Sequence, residues 1–183
     1  LAALLGPGDL LAAELGFRVT SADGRLLPCR IHLRGPDGKP LRPEGKPFWR
    51  DHFVCEGAVS VRAKPGRHVF QIERGPEYAR HEGSIVIAAD ETKTMEIVLR
   101  RIAALRRDGW YSGDLHIHRP ARDVELLMRA EDLDFGPTIT WWNRRNPWNQ
   151  APPPEETVHS FDGHRIRTVM AGEDEREGGA LLF

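Results

Sequence analysis

From Phe17 to Ile102, apolar and polar residues alternate in short runs broken by Gly and Pro. Phe17–Thr20, Cys29–Leu33, Val59–Ala63, His68–Glu73, Ser84–Ala88 and Thr94–Leu99 each read as a strand, because successive side chains of a strand point to opposite faces of the sheet. Ser21-Ala22-Asp23-Gly24, Gly35-Pro36-Asp37-Gly38 and Lys64-Pro65-Gly66 supply turn chemistry between them. Short strands at near-regular spacing predict an antiparallel β-sandwich with one wet face per sheet. The stretch from Leu41 to Phe53 has no clear period and predicts a long loop.

Past Leu105 the rhythm changes. Gly113-Asp114-Leu115-His116-Ile117-His118 reads as a strand. Val124 to Leu133 reads as a helix, with Leu126, Leu127, Ala130 and Leu133 at helical spacing and Asp123 near its start. Phe135–Trp142 is a second apolar strand, Pro147–Pro154 a Pro-rich loop, and Arg165–Ala171 a third strand ending at Gly172-Glu173. Strand, helix, strand, long connection and strand predict parallel strands in an α/β layer, where ligands gather at the C-terminal strand ends. The fold class expected is therefore α+β with two domains: a helical or processed segment over 1–15, a β-sandwich over 16–103, and a metal-binding domain over 104–183.

Both ends of the chain bear on this division. It begins at Leu1 rather than Met, which predicts a processed or trimmed start. Leu1 to Gly6 reads either as the tail of a signal-peptide apolar region or, with Asp9 to Leu15, as the lead into a short amphipathic helix. Ala180-Leu181-Leu182-Phe183 reads as a buried strand with more chain expected after it. The signal-like start and the sandwich together lean toward an exported protein.

Composition narrows the partners. Of 183 residues, 40% are apolar and 29% charged, a globular balance, and the net charge of −1 gives no basic field to draw nucleic acid or an acidic membrane surface. No apolar run reaches the ~18 residues of a membrane span. Cys29 and Cys55 make no CxxC pair, and could join only if their strands are neighbours in an oxidising compartment. The composition leaves the oligomeric state open.

The chemistry concentrates in the second half. On a strand, residues two apart share a face, so His116 and His118 would converge on one point, as a zinc, manganese or iron ion requires of two nitrogen ligands. Asp114 lies in phase with them and is a candidate for holding a ligating ring or for handling a proton in catalysis. Glu173, behind Gly172 at the end of an apolar strand, is a candidate third ligand and catalytic carboxylate. The plainer reading takes Glu173 to Glu177 as a solvated charge run. Trp141 and Trp142, with Trp148, are candidates for an aromatic wall against a small-molecule or glycan-like substrate, or for packing. Arg119 and Arg176, with Arg144 and Arg145, are candidates for neutralising a phosphate or carboxylate, or are ordinary surface arginines. His32, His52, His68 and His81 are scattered and read as surface residues, and His159 and His164 are not assigned to the metal.

Two stretches resemble known families. Ser21-Ala22-Asp23-Gly24-Arg25, with Lys64 to Phe70 and Glu73-Arg74-Gly75, resembles carboxypeptidase-regulatory-like and transthyretin-like sandwich modules. Gly109-Trp110-Tyr111-Ser112-Gly113-Asp114-Leu115-His116-Ile117-His118-Arg119 resembles the opening motif of the PHP superfamily, most closely its CehA/McbA branch of metallohydrolases. That resemblance implies the first part of a distorted seven-stranded β/α barrel. It also implies one or two divalent ions (zinc, manganese or iron) held by His116, His118 and Glu173, and hydrolysis of an ester, carbamate or phosphoester by a metal-activated water. The departures are specific. Thr140-Trp141-Trp142-Asn143 stands where the family has Thr-Asp-His, and Gly178-Gly179 where it has Gly-His. They favour a rival expectation, a non-catalytic protein that binds a glycan or a partner.

Overall fold

The computed structural model describes residues 13–183, which form two compact units divided between Ala104 and Leu105. In the first unit, one sheet has the order β5 (Ala58–Ala63), β1 (Ala13–Thr20), β8 (Thr92–Val98). A second has the order β3 (Phe48–Trp49), β4 (His52–Cys55), β2 (Cys29–Arg34), β6 (Gly66–Glu73), β7 (His81–Ile87). The inward residues of both sheets form one core: Leu15, Phe17, Val19, Val61 and Ile97 from the first, and Ile31, Leu33, Phe53, Phe70, Ile72 and Ile87 from the second. The Phe17 and Phe70 rings meet edge to face at 5.2 Å across it.

The alternation predicted from the sequence is realised in β2, whose burial alternates residue by residue, but three details differ. β1 pairs with β8 in parallel, so the sandwich is not wholly antiparallel. The expected loop over Leu41 to Phe53 contains the hairpin β3–β4, too short to show a period. His68, expected at the surface, is fully buried. The helix expected from Asp9 to Leu15 falls largely outside the described residues, and Ala13 to Leu15 belong to β1. At Gly57 (φ 103°) a Cβ would lie 2.7 Å from the Leu27 backbone, so only glycine lets the chain pass there.

Cys29 and Cys55 are direct cross-strand partners on β2 and β4, both buried, with free thiols whose Sγ atoms are 3.9 Å apart. Under an oxidant they are expected to close into a disulfide. In the chain-entropy account, a loop of this length adds about 3–4 kcal/mol. Intact-mass measurement would show the loss of two hydrogens, and a parallel rise in the urea midpoint that reductant reverses.

In the second unit, β11 (Arg165–Asp174) is the central strand. β9 (Phe135–Trp142) runs parallel to it on one side, while β10 (Val158–Phe161) and β12 (Leu181–Leu182) pair with it antiparallel. The single α-helix among the described residues, α1 (Ala121–Ala130), buries Val124 and Met128 one turn apart. Ion pairs tie the unit together: Arg167 to Glu125 at 3.0 Å, Arg129 to Asp162 at 2.8 Å, and the buried Arg165 to Asp132 at 2.8 Å.

This architecture overturns the expected fold class and the PHP resemblance. A β/α barrel repeats strand and helix around a closed ring of parallel strands. Here the described residues of the second unit form one mixed sheet with a single α-helix, and the other regular elements of the described residues are strands and two short 3-10 turns. The expected strand over Gly113 to His118 is also absent as a regular element, because Asp114 accepts the His116 backbone N–H at 2.9 Å and withdraws it from any ladder. Only isolated parallel bridges, Gly113 to Phe135 and Ile117 to Thr138, keep the segment beside β9. Leu181, Leu182 and Phe183, expected to be buried, are exposed.

Candidate metal centre

Two extended segments deliver three donors to one point. Ile117 turns into the apolar cluster with Val124 and Met128, and its carbonyl accepts the Ile139 N–H at 2.9 Å. With Ile117 anchored inward, His116 and His118 face away from that cluster. The space for this packing comes from Gly136, where a Cβ would lie 2.9 Å from both Ile117 and Met128 side-chain atoms. Glu173 reaches the same point from the end of β11, with its backbone carbonyl accepting the Asn143 N–H at 2.9 Å.

The three residues form a triangle of unequal sides, in which each imidazole meets its own oxygen of the Glu173 carboxylate. His116 Nε2 and His118 Nε2 are 3.1 Å apart, His116 Nε2 lies 3.0 Å from Glu173 Oε1, and His118 Nε2 lies 2.6 Å from Glu173 Oε2. Ligands at ~2.0–2.2 Å around a tetrahedral ion sit about 3.3–3.5 Å from one another. The observed spacing is slightly tighter, so small side-chain rotations admit an ion. Two imidazoles and a carboxylate suit zinc, iron or manganese. Glu173 is 3% exposed. Burial works to raise its pKa, but the hydrogen bonds from His118 and His116 outweigh it and hold the carboxyl below its ordinary value. It is thus an anion at neutral pH, as a ligand must be.

The neighbouring acids are engaged elsewhere. Asp114, expected to orient a ligating ring or to act in catalysis, holds the His116 backbone instead. Asp174 accepts the Arg176 Nε–H at 2.8 Å, and that hydrogen bond brings its pKa down to about 2. Glu175 accepts the Trp142 indole N–H at 3.0 Å and the Asn143 amide at 3.3 Å, while its own N–H donates to Asn143 Oδ1 at 2.9 Å. Neither Glu175 nor Asn143 was singled out in the sequence. On the plainer reading the run Glu173 to Glu177 is surface charge, and although parallel strands are expected in this half, nothing in the run's spacing shows which of its acids meets Trp142 and Asn143.

The expected aromatic and basic lining is divided. The Trp142 ring lies 5.0 Å from the His118 ring at 60°, directly beside the donors. Trp141 packs edge-on against Phe183 at 5.0 Å. Trp142, Arg144, Arg145 and Arg176 line a shallow cavity of about 680 Å³. Arg119 is half-buried next to His118 in sequence and is absent from that lining. His164 lies 3.8 Å from Asp134, at a separate place in the unit.

No family model matches the chain, and no curated protein does. Among solved structures, the chain is similar to a minor pilin of Streptococcus agalactiae at 19% identity and a TM-score of 0.42, over 52% of this chain and 47% of that one. It is similar to the Bacillus anthracis TIE protein at 11% and 0.36, over 49% and 16%, and to a pilus-presented adhesin at 16% and 0.32, over 47% and 27%. The chain thus spans less than half the length of each. With no barrel among the described residues, the hydrolytic activity implied by the resemblance of the Gly109–Arg119 motif is withdrawn. Among the described residues, no helix is long and apolar enough to cross a membrane.

Proposed function

We propose that this chain is a non-catalytic binding module whose second unit holds a divalent transition-metal ion on His116, His118 and Glu173, and that the ion helps to capture an acidic group of a partner protein. The observation that carries this reading is the triangle of donor atoms, two of them from residues separated only by the inward-facing Ile117. Three protein ligands leave a tetrahedral ion able to accept a fourth from elsewhere. Arg144 and Arg145 line the cavity beside Trp142, together with Glu177 and with Arg176, which is paired to Asp174, so the positive charge that meets an approaching carboxylate there comes from Arg144 and Arg145. The acids around the site support binding over turnover. Asp114 and Glu175 are committed to hydrogen bonds, and Asp174 stays ionised far below neutral pH, too weak a base to relay protons well. An exported setting fits the reading, and oxidation of Cys29 and Cys55 bears on it.

A fluorescein-labelled Glu-rich peptide provides the probe. Its anisotropy is expected to rise with the full chain in Zn²⁺, to fall back on adding EDTA, and to respond weakly to R144A/R145A. Equal binding with and without EDTA would overturn the proposal, as would zinc-dependent turnover of a generic ester.

A further inference from the structure

The sandwich unit carries a second set of convergent donors. His32 on β2 and His52 on β4 lie on adjacent antiparallel strands, with their rings 4.9 Å apart. Asp51 sits in the β3–β4 turn, where Arg50 adopts a left-handed backbone (φ 53°). The turn brings the Asp51 carboxylate between the rings. Oδ2 lies 3.2 Å from His32 Nδ1, and Oδ1 lies 3.1 Å from His52 Nδ1. Ile31, Phe53 and Cys55 are buried on the same two strands, whereas the three donors are only half-buried.

We infer that His32, Asp51 and His52 form a second divalent-metal site, for an ion of the zinc, cobalt or nickel type. The nitrogen–oxygen separations match those between ligands of one ion at ~2.0–2.2 Å. Behind the His32 ring, its Nε2 lies 3.8 Å from Glu73 Oε2, so a carboxylate stands on the side of the far nitrogen, within reach of a small ring rotation. Glu73 is itself held by Arg30 and by Arg80 at 2.7 Å, so it stands near the ring without competing as a ligand. Arg34 lies 3.4 Å from Asp51 and helps to hold that carboxylate in place. A cavity of about 440 Å³ lined by His32, Arg34 and Asp51 gives an ion a way in. The site needs nothing from the second unit. The sequence conceals it because His32 is distant from the Asp51-His52 pair and the β3–β4 hairpin reads as loop.

The test uses the full chain carrying H116A/H118A, so that the other centre cannot contribute. Equilibrium dialysis against Zn²⁺ is expected to retain a bound ion, and Co²⁺ to give the visible absorption of a tetrahedral site. Adding H52A or, separately, D51N is expected to abolish both signals while the far-UV circular dichroism stays unchanged. The hydrogen-bonded cluster is only structural, and the inference overturned, if H116A/H118A binds no ion or if binding survives H52A and D51N. Failure at His116 and His118 in the otherwise native chain would leave this result untouched.

Discussion

Replacing His118 with alanine is expected to weaken zinc binding at the second unit by more than about 100-fold, because disrupting a mere supporting residue behind a ligand already costs ~10–100-fold. His118 makes the shortest contact of the triangle, 2.6 Å to Glu173, and its ring rests against Trp142. Its loss removes a ligand and leaves the buried Glu173 with one partner in place of two. Glu173→Gln is expected to lose as much, since it keeps the shape and removes the charge that must offset the ion. Asp114→Ala should cost less, because Asp114 shapes the backbone at His116 and makes no contact with the triangle. Isothermal titration with Zn²⁺ ranks the three, read against a background in which His52→Ala removes the sandwich cluster. Equal losses for Asp114→Ala and His118→Ala would show that the segment is merely being unfolded.

Met128→Ala is expected to destabilise the second unit by about 2–5 kcal/mol, the usual cost of truncating a fully buried methionine. Met128 is completely buried and, with Ile117, fills the space above Gly136. The resulting cavity lies directly beneath the residue that turns the two histidines outward. Four of the five tryptophans, Trp110, Trp141, Trp142 and Trp148, belong to this unit, so urea unfolding followed by the fluorescence of a chain carrying Trp49→Phe reports on it. A midpoint within error of the parent would mean that the cluster of Ile117, Val124 and Met128 does not hold the segment. Met128→Leu, which conserves volume, is expected to cost under ~1.5 kcal/mol and to keep zinc binding.

What the sequence disclosed depended on how local each signal was. Cys29 to Leu33 alternates and becomes β2, because a half-buried strand writes its period into consecutive residues. Phe135 to Trp142 is legible as an apolar strand and becomes β9 with the same limits. The strands β3, β4 and β10 are shorter and leave no period to find. Gly113 to His118 looked like a strand because its spacing is that of one, yet the Asp114 side chain competes for the His116 N–H. The convergence of His116, His118 and Glu173 needed a single inference about spacing and one about strand ends. By contrast, the engagement of Glu175 with Trp142, and the meeting of His32 with Asp51 and His52, depend on which strands lie side by side, and pairing is non-local. The PHP resemblance rested chiefly on the motif around the two histidines, with Gly172-Glu173 as a weaker second match. A motif of that length constrains a segment and leaves the surrounding sheet undetermined.

The most direct measurement is anomalous diffraction at the zinc edge from crystals of the full chain grown with Zn²⁺. The account predicts a peak within bonding distance of His116 Nε2, His118 Nε2 and a Glu173 carboxylate oxygen, at ~2.0–2.2 Å from each. The same three side chains in direct contact with one another, with no peak among them in zinc-saturated crystals, would contradict it.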